Sequence, residues 1–590
     1  MQESEENVNP LRRQEFFFWL CAYAAVLVFL GRNSLFGPEA LVAEAAREIV
    51  VSQDWSVRIN FAPFSGLHPL NVCGVALLYL VVGVSEFFTR IIAAVTTLIL
   101  LSGVRRLAVL LFDRRTALVA GWLTLGSYSV LYLGRSAGDC IPACAAAVWA
   151  IAWYLGAPPR MSFRRALIFY LLLFFSAVLY DKLWLLAPGF LLPWWIAERS
   201  LRGALSRKGV TALAIVCVFG VAWWLRCGGL DMLALWWRDP AVAAGGLFAS
   251  IGEGYLSRGW RSLYMSPLNI VRVLLPWPLL ALTAAIAEVR RHQTAPAQEK
   301  LLCRGILTMF AVSLVLPAYQ WRLMMPLLPF MLLVTAHVSA DEAEKDRWTA
   351  YALSGTRSVL LIIASLGVVS PVALPALKAL LKLDLPLVVI LTSVVTGIAV
   401  LAIMTWDSYP GVPLCNVSGL SPRLNSIILG GTLITIGVVS LIVPAFRDMR
   451  GERPFMLEVR EKTADLPSEA VVLIGDAKHA AALLFYNRMK SPVTLVGSGD
   501  YAKFLQLIER RRGRGLAVVS RCREGSGHEL EFLRSCAERG GLRLDISKPN
   551  VMENLPPFGS RDRQNALFLM QVPESGTGRS ESETSTVKGK

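Results

Sequence analysis

What most limits the folds open to this chain is a succession of long apolar runs broken by short basic clusters. Thirteen runs read as membrane spans, at roughly 15–31, 87–104, 116–133, 139–156, 166–180, 183–197, 209–226, 267–288, 302–317, 323–338, 357–375, 384–404 and 426–445. Several lie near the minimum of about 17 residues that a spanning helix needs. Between them fall Arg12–Arg13, Arg105–Arg106, Arg114–Arg115, Arg164–Arg165, the stretch from Arg199 to Lys208, and Arg290–Arg291. All of these clusters reach the cytoplasm if the N-terminus starts there, as the positive-inside rule requires. Composition agrees, with 55% hydrophobic and 17% charged residues and a mean hydropathy of +0.51. One soluble core could not take up that much apolar surface. The net charge of +16 is therefore juxtamembrane charge, and no nucleic-acid partner is expected.

A further apolar run, 70–84, cannot span without moving Arg105–Arg106 and Arg114–Arg115 to the outer side. It is expected to lie along the outer surface as a re-entrant or interfacial helix. The fold class is then an α-helical polytopic membrane protein of about 13 transmembrane helices with a C-terminal extracytoplasmic α/β domain. The expected divisions are a cytoplasmic N-terminus 1–14, a transmembrane domain 15–445 with a large first outer loop 32–86, an α/β domain 446–572, and a disordered tail 573–590. In 446–572 short β-rich runs (471–475, 493–497, 516–520, 542–546, 566–572) alternate with helical ones, which predicts a mainly parallel sheet. The ten cysteines include no CxxC and most sit inside apolar runs. Cys522 and Cys536 are the pair that could bridge, and their spacing equally fits two free thiols.

Within the first loop, "LFGPEALVAEAAREIV" (35–50) reads as a helix with Pro38 in its first turn. Glu39 follows where the helix dipole favours an ionised carboxylate. Leu41, Val42, Ala45 and Ile49 make an apolar stripe, so the helix is expected to lie on the membrane with Glu44 and Arg47 on its polar side. Under this topology further charges gather on the outer side. The loop adds Asp54, Arg58 and His68; "LGRSAGD" gives Arg135 and Asp139; Asp181–Lys182 joins two spans; "GEGYLSRGW" holds Glu253 and Arg258; "YQWRLMMPLLP" holds Arg322. Each alone reads as an interfacial residue snorkelling to water. Together, carboxylates able to take a proton and cations able to hold an anion describe group transfer from a phosphate-bearing donor.

The chain resembles the GT-C membrane glycosyltransferases that use polyprenyl-phosphate sugars, above all the lipid A aminoarabinose transferases and protein O-mannosyltransferases. The resemblance rests on "PEALVAEAAREI" (38–49), "SQDW" (52–55), "LHPL" (67–70), "GVSEFFTR" (83–90), "GRSAGDCIP" (134–142), "LYDKLW" (179–184) and "RLMMPLLP" (322–329), in the family's order. It implies inverting transfer of a sugar to a lipid, glycan or protein acceptor on the periplasmic face of a bacterial inner membrane. By position it implies Glu39 and Asp139 as catalytic residues, with Glu39 the first choice of base. Arg135, Lys182, Arg258 and Arg322 would hold the donor phosphate; Glu44, Asp54, His68 and Glu253 would serve the acceptor or support the site. A divalent metal is the one cofactor the resemblance allows, with its ligands unknown. The expected partners are the lipid-linked donor, membrane lipids and the acceptor. Three charged family positions fall here on Pro38, Leu41 and Leu67. That departure favours a rival reading, a non-catalytic scaffold or lipid-binding accessory protein of the same fold. A transporter is the weaker rival, because the charges lie at outer span ends and the chain shows no two related halves.

Overall fold

The computed structural model describes residues 8–35, 37–64, 67–157, 161–179, 186–198, 206–224, 267–291, 296–315, 321–342, 347–381, 387–406, 421–445, 453–464, 466–474, 477–496, 515–523, 545–546 and 563–571, with single positions between 503 and 510. It forms two compact units: Met1–Val57 with Pro63–Arg450, and Arg58–Ala62 with Gly451–Lys590.

The first unit is helical. It opens with α1 (Val8–Leu27), α2 (Pro38–Ser52), α3 (Pro69–Val82), α4 (Glu86–Leu111), α5 (Arg114–Leu125), α6 (Tyr128–Gly134), α7 (Ile141–Leu155), α8 (Phe163–Leu179) and α9 (Leu186–Glu198). Local sequence explains the boundaries. Pro38 starts α2, and Gln53 ends it in the left-handed region, its N–H donating to the Ile49 carbonyl. Ser85 and Asp113 cap α4 and α5 by accepting from Phe88 N and Thr116 N. Among the described residues four helices are long and apolar enough to cross a membrane: Glu86–Leu111, Thr349–Val372, Leu387–Thr405 and Pro422–Ala445. By contrast α3 has 14 residues, about 21 Å of helix against a hydrocarbon core of about 30 Å.

Two runs expected as single spans are broken. Helices α5 and α6 meet at 65°, and Pro267–Leu274 meets Pro278–Arg290 at 115°. A break in a membrane frees backbone groups that lipid cannot satisfy. Here the two breaks satisfy each other. Tyr128 N donates to the Leu275 carbonyl at 2.9 Å, and Trp277 Nε1 donates to the Leu123 carbonyl at 2.8 Å. Thr435 Oγ1 donates to the Gly126 carbonyl at 2.8 Å. The Trp277 indole is fully buried and lies where a Cβ on Gly126 or Gly431 would stand, which explains those glycines.

Around this core the later helices expose large apolar side chains, among them Val218, Val221, Ile362, Leu366, Val372 and Val395. A surface of that kind suits a lipid environment.

The second unit contains a five-stranded sheet in the order β4-β3-β5-β7-β6, built from β3 (Val471–Ile474), β4 (Thr494–Val496), β5 (Gly515–Arg523), β6 (Asp545–Ile546) and β7 (Arg563–Gln571). Strand β3 pairs parallel with β4 and with β5, in a register that aligns Val472 with Thr494 and Val518. The last strand departs from the parallel pattern. It runs antiparallel between β5 and β6, with Phe568 opposite Val518 and Ile546. The sequence offers no helical run between 546 and 566 to act as a crossover, and without one a parallel return is not available. Helix Ala477–Asn487 follows β3 and buries Ala481, Leu483 and Leu484.

Candidate active site

The first turn of α2, the loop 135–140 and the 3-10 segment Trp321–Leu327 come together at the end of the helical unit that holds the first loop. Glu39 is the hub of one half. Its Oε1 accepts from Arg90 Nε at 3.1 Å and its Oε2 from Arg90 Nη2 at 2.9 Å. The Ala137 N–H also donates to Oε1, at 3.2 Å. Both partners are buried, at 4% and 1% side-chain exposure. Arg90 spends its remaining donors on backbone: Nη1 on the Leu30 and Asn33 carbonyls, Nη2 on the Ser34 carbonyl. All five guanidinium donors are thereby engaged. One arginine on α4 fastens the exit of α1 to the first turn of α2.

The other half is Asp139. The loop carrying it is pressed onto α2: Gly138 has φ 77°, and a Cβ there would stand 2.7 Å from Val42 Cγ2. Glycine is required on both counts. Asp139 is 4% exposed and pairs with Arg322 Nη1 at 3.0 Å, whereas the Arg322 side chain is 30% exposed. Cys140 Sγ, next in sequence, contacts the Arg322 carbonyl at 3.6 Å. The pair thus runs from a sheltered carboxylate to a cation that reaches solvent, an arrangement able to take a proton at one end and hold a phosphate at the other.

The remaining expected residues are distributed as follows. Arg135 is buried, and its Nη1 donates to the Ala25 and Val26 carbonyls at 2.8 and 3.2 Å. It therefore serves the last turn of α1, where a cation complements the helix dipole. Asp54 accepts from Ser56 N at 3.0 Å and shapes the turn after α2. His68 is the N-cap of α3 and accepts through its backbone carbonyl from Asn71 N and Val72 N. Lys182, Glu253 and Arg258 lie outside the described residues, as does Cys536.

Glu44 and Arg47 depart from expectation. In place of a solvated polar side, α2 buries Glu39, Glu44, Arg47 and Glu48 alike, because α3 packs along it and α4 and loop 135–140 close over its first turn. Arg47 donates to both Glu44 oxygens, at 2.7 and 2.6 Å. Glu48 lies beside Glu44 in this cluster. Burial first, and Glu48 beside it, push the Glu44 carboxyl up to about 8 against the pull of Arg47. Burial likewise pushes the neighbouring Tyr79 phenol up, and its hydroxyl is hydrogen-bonded to Thr89.

Sequence reasoning passed over Arg90, although "GVSEFFTR" contains it. A legible signal was present: a charge one turn inside an apolar run is costly unless it is paired. Among the described residues no group of three or more His, Cys, Asp or Glu side chains is placed to hold a metal. Glu39 and Asp139 each face an arginine.

No protein-family model matches the sequence, and no curated protein matches it. Solved structures do. ArnT from Cupriavidus metallidurans bound to undecaprenyl phosphate is 15% identical, with a TM-score of 0.67 over 94% of this chain and 97% of that one. The same protein in its apo state gives 0.68 at the same identity and coverage. The oligosaccharyltransferase AglB from Archaeoglobus fulgidus is 12% identical and reaches 0.45, over 92% of this chain and 74% of its own. Over nearly its whole length, then, this chain shares the fold of ArnT.

Proposed function

We propose that this chain is an inverting membrane glycosyltransferase that moves a sugar from a polyprenyl-phosphate donor to a lipid, glycan or protein acceptor on the periplasmic face. The observation that carries the reading is the Asp139–Arg322 pair, a sheltered carboxylate joined to a part-exposed cation, on a fold shared with a structure that holds undecaprenyl phosphate.

In the step we propose, an acceptor hydroxyl or amine attacks the anomeric carbon and its proton passes to a carboxylate. The bond from that carbon to the phosphate oxygen breaks, and the polyprenyl phosphate leaves with the electron pair. Arg322 holds the developing charge, together with Lys182 and Arg258 if they reach the same site. Geometry favours Asp139 over Glu39 as the proton acceptor. Protonating Glu39 would break a bidentate pair with Arg90 and strand a buried guanidinium. Glu39 is better suited to hold loop 135–140, and with it Asp139, through the Ala137 N–H.

The test is transfer by the purified protein across a panel of labelled polyprenyl-phosphate sugars. Asp139→Asn is expected to lower turnover by about 10²–10⁴-fold, the usual worth of a general base, with the fold intact. Glu39→Gln should lower it together with thermal stability. Equal activity of Asp139→Asn and the parent would remove Asp139 as base.

A second reading has its own support. Pro38, Leu41 and Leu67 stand where the family keeps charges, and both Glu39 oxygens are engaged in the pair with Arg90. These favour a non-catalytic lipid-binding protein of the same fold. Donor binding without turnover on the whole panel would select it.

A further inference from the structure

The first loop does not belong wholly to the helical unit. Residues Arg58–Ala62 belong to the α/β unit, although Val57 and Pro63 on either side belong to the helical one. The chain therefore passes between the units at three places, not only after Arg450. The segment is a small hairpin of β1 (Arg58–Ile59) and β2 (Ala62–Pro63). Asn60 and Phe61 at its tip have φ of 57° and 60°, the paired left-handed residues of a type I′ turn, where asparagine is favoured at the first position.

Asn60 does more than tolerate that conformation. Val493 N donates to Asn60 Oδ1 at 2.8 Å, and Asn60 Nδ2 donates to the Val493 carbonyl at 3.0 Å. A primary amide bonded this way to both sides of one residue imitates a rung of a β-ladder. Val493 is buried at 3% exposure, and it immediately precedes β4, the edge strand of the sheet. Helix Ala477–Asn487 packs on β1 beside it. Asn60 thus satisfies both backbone groups of the residue that leads into the edge strand. Few side chains can do this. Aspartate keeps the acceptor and loses the donor; glycine keeps the turn and loses both.

We infer that Asn60 is a positioning residue for transfer: it latches the first-loop hairpin to the α/β unit, so that this unit holds the segment joining α2 to α3. Five residues separate the end of α2 from Arg58, and His68 at the start of α3 follows five residues after Pro63. Releasing the hairpin lengthens the unsupported connection between the two first-loop helices, and α2 carries Glu39, which holds the Asp139 loop. The inference rests on the transferase reading.

The experiment compares the full-length parent in nanodiscs with Asn60→Gly and Asn60→Asp. Amide exchange of peptides covering 56–64 and 488–496 is expected to quicken about tenfold in both variants at neutral pH, the size of one or two net hydrogen bonds. Exchange in α4 should not change. In Asn60→Asp, protection should return as the pH falls to about 4, where a protonated carboxyl again has a donor for the Val493 carbonyl. A role confined to backbone conformation would give no such recovery. Transfer should show a severalfold loss of kcat/KM in both variants at neutral pH. Unchanged exchange would overturn the latch. Quicker exchange with unchanged transfer would overturn its positioning role while leaving the transferase reading in place. A parent protein with no turnover on any donor would remove the transferase reading, and the positioning role with it, whereas the exchange data would still judge the latch.

Discussion

Arg90 supports more of the candidate site than any residue chosen for chemistry. Its five donors meet the carboxylate in the first turn of α2 and three backbone carbonyls of the segment joining α1 to α2. Removing one member of a buried pair strands the other, at a cost of about 3–5 kcal/mol. Arg90→Leu is therefore expected to lower the thermal midpoint in detergent sharply. Adding Glu39→Leu should recover part of the loss, and no recovery would mean that the backbone contacts dominate. Glu44 supplies a pH signature. Its carboxyl is raised from 4.5 to about 8 in the folded protein, so the native state binds a proton that the unfolded chain has released. This contribution is complete below about pH 4.5 and is lost as the pH rises through about 8. Stability should fall as the pH rises from about 4.5 to about 8 and level off above it, and Glu44→Gln should flatten that slope in thermal melts. A parallel slope in the variant would assign the effect elsewhere.

At the scale of elements, hydropathy placed helices well and breaks poorly. A single apolar run covers 116–133, yet α5 and α6 bend by 65° inside it; 267–288 bends by 115°. Pro276 and Pro278 hinted at the second break. The first needed its partner to be visible, because Gly126, Ser127 and Tyr128 are unremarkable without the Leu275 carbonyl and Trp277 to meet them. Trp277→Phe removes the N–H and one ring of the indole, leaving the Leu123 carbonyl without its donor and a void against Gly126 and Gly431. The expected destabilisation is more than about 1 kcal/mol, the worth of an interhelical hydrogen bond in a membrane, because the void adds to it; thermal or denaturant unfolding in detergent measures it. The polar side of α2 was misjudged for a similar reason. Its apolar stripe is real, but Glu44, Arg47 and Glu48 pair with one another and accept burial under α3.

At the scale of the whole molecule, the side on which the α/β unit lies depends on the parity of the crossings. Thirteen crossings from a cytoplasmic N-terminus would put residues beyond 450 outside. An alkaline phosphatase fused to Lys590 is expected to be active in a bacterial host, and a fusion at the N-terminus inactive. An inactive C-terminal fusion would mean an even number of crossings, with the sharply bent pair Pro267–Leu274 and Pro278–Arg290 as the first place to seek the turn back. The sequence by itself determined that this is a largely helical chain with several helices apolar enough for a membrane. Hydropathy and charge act against a planar solvent, and their sum along a segment decides its depth whatever its neighbours are. Only the tertiary structure decided which charge answers which. Glu39 found Arg90, Asp139 found Arg322, and Asn60 found Val493, because a pair across distant segments is set by where the backbone brings them. Nothing in either residue's own neighbourhood names the other.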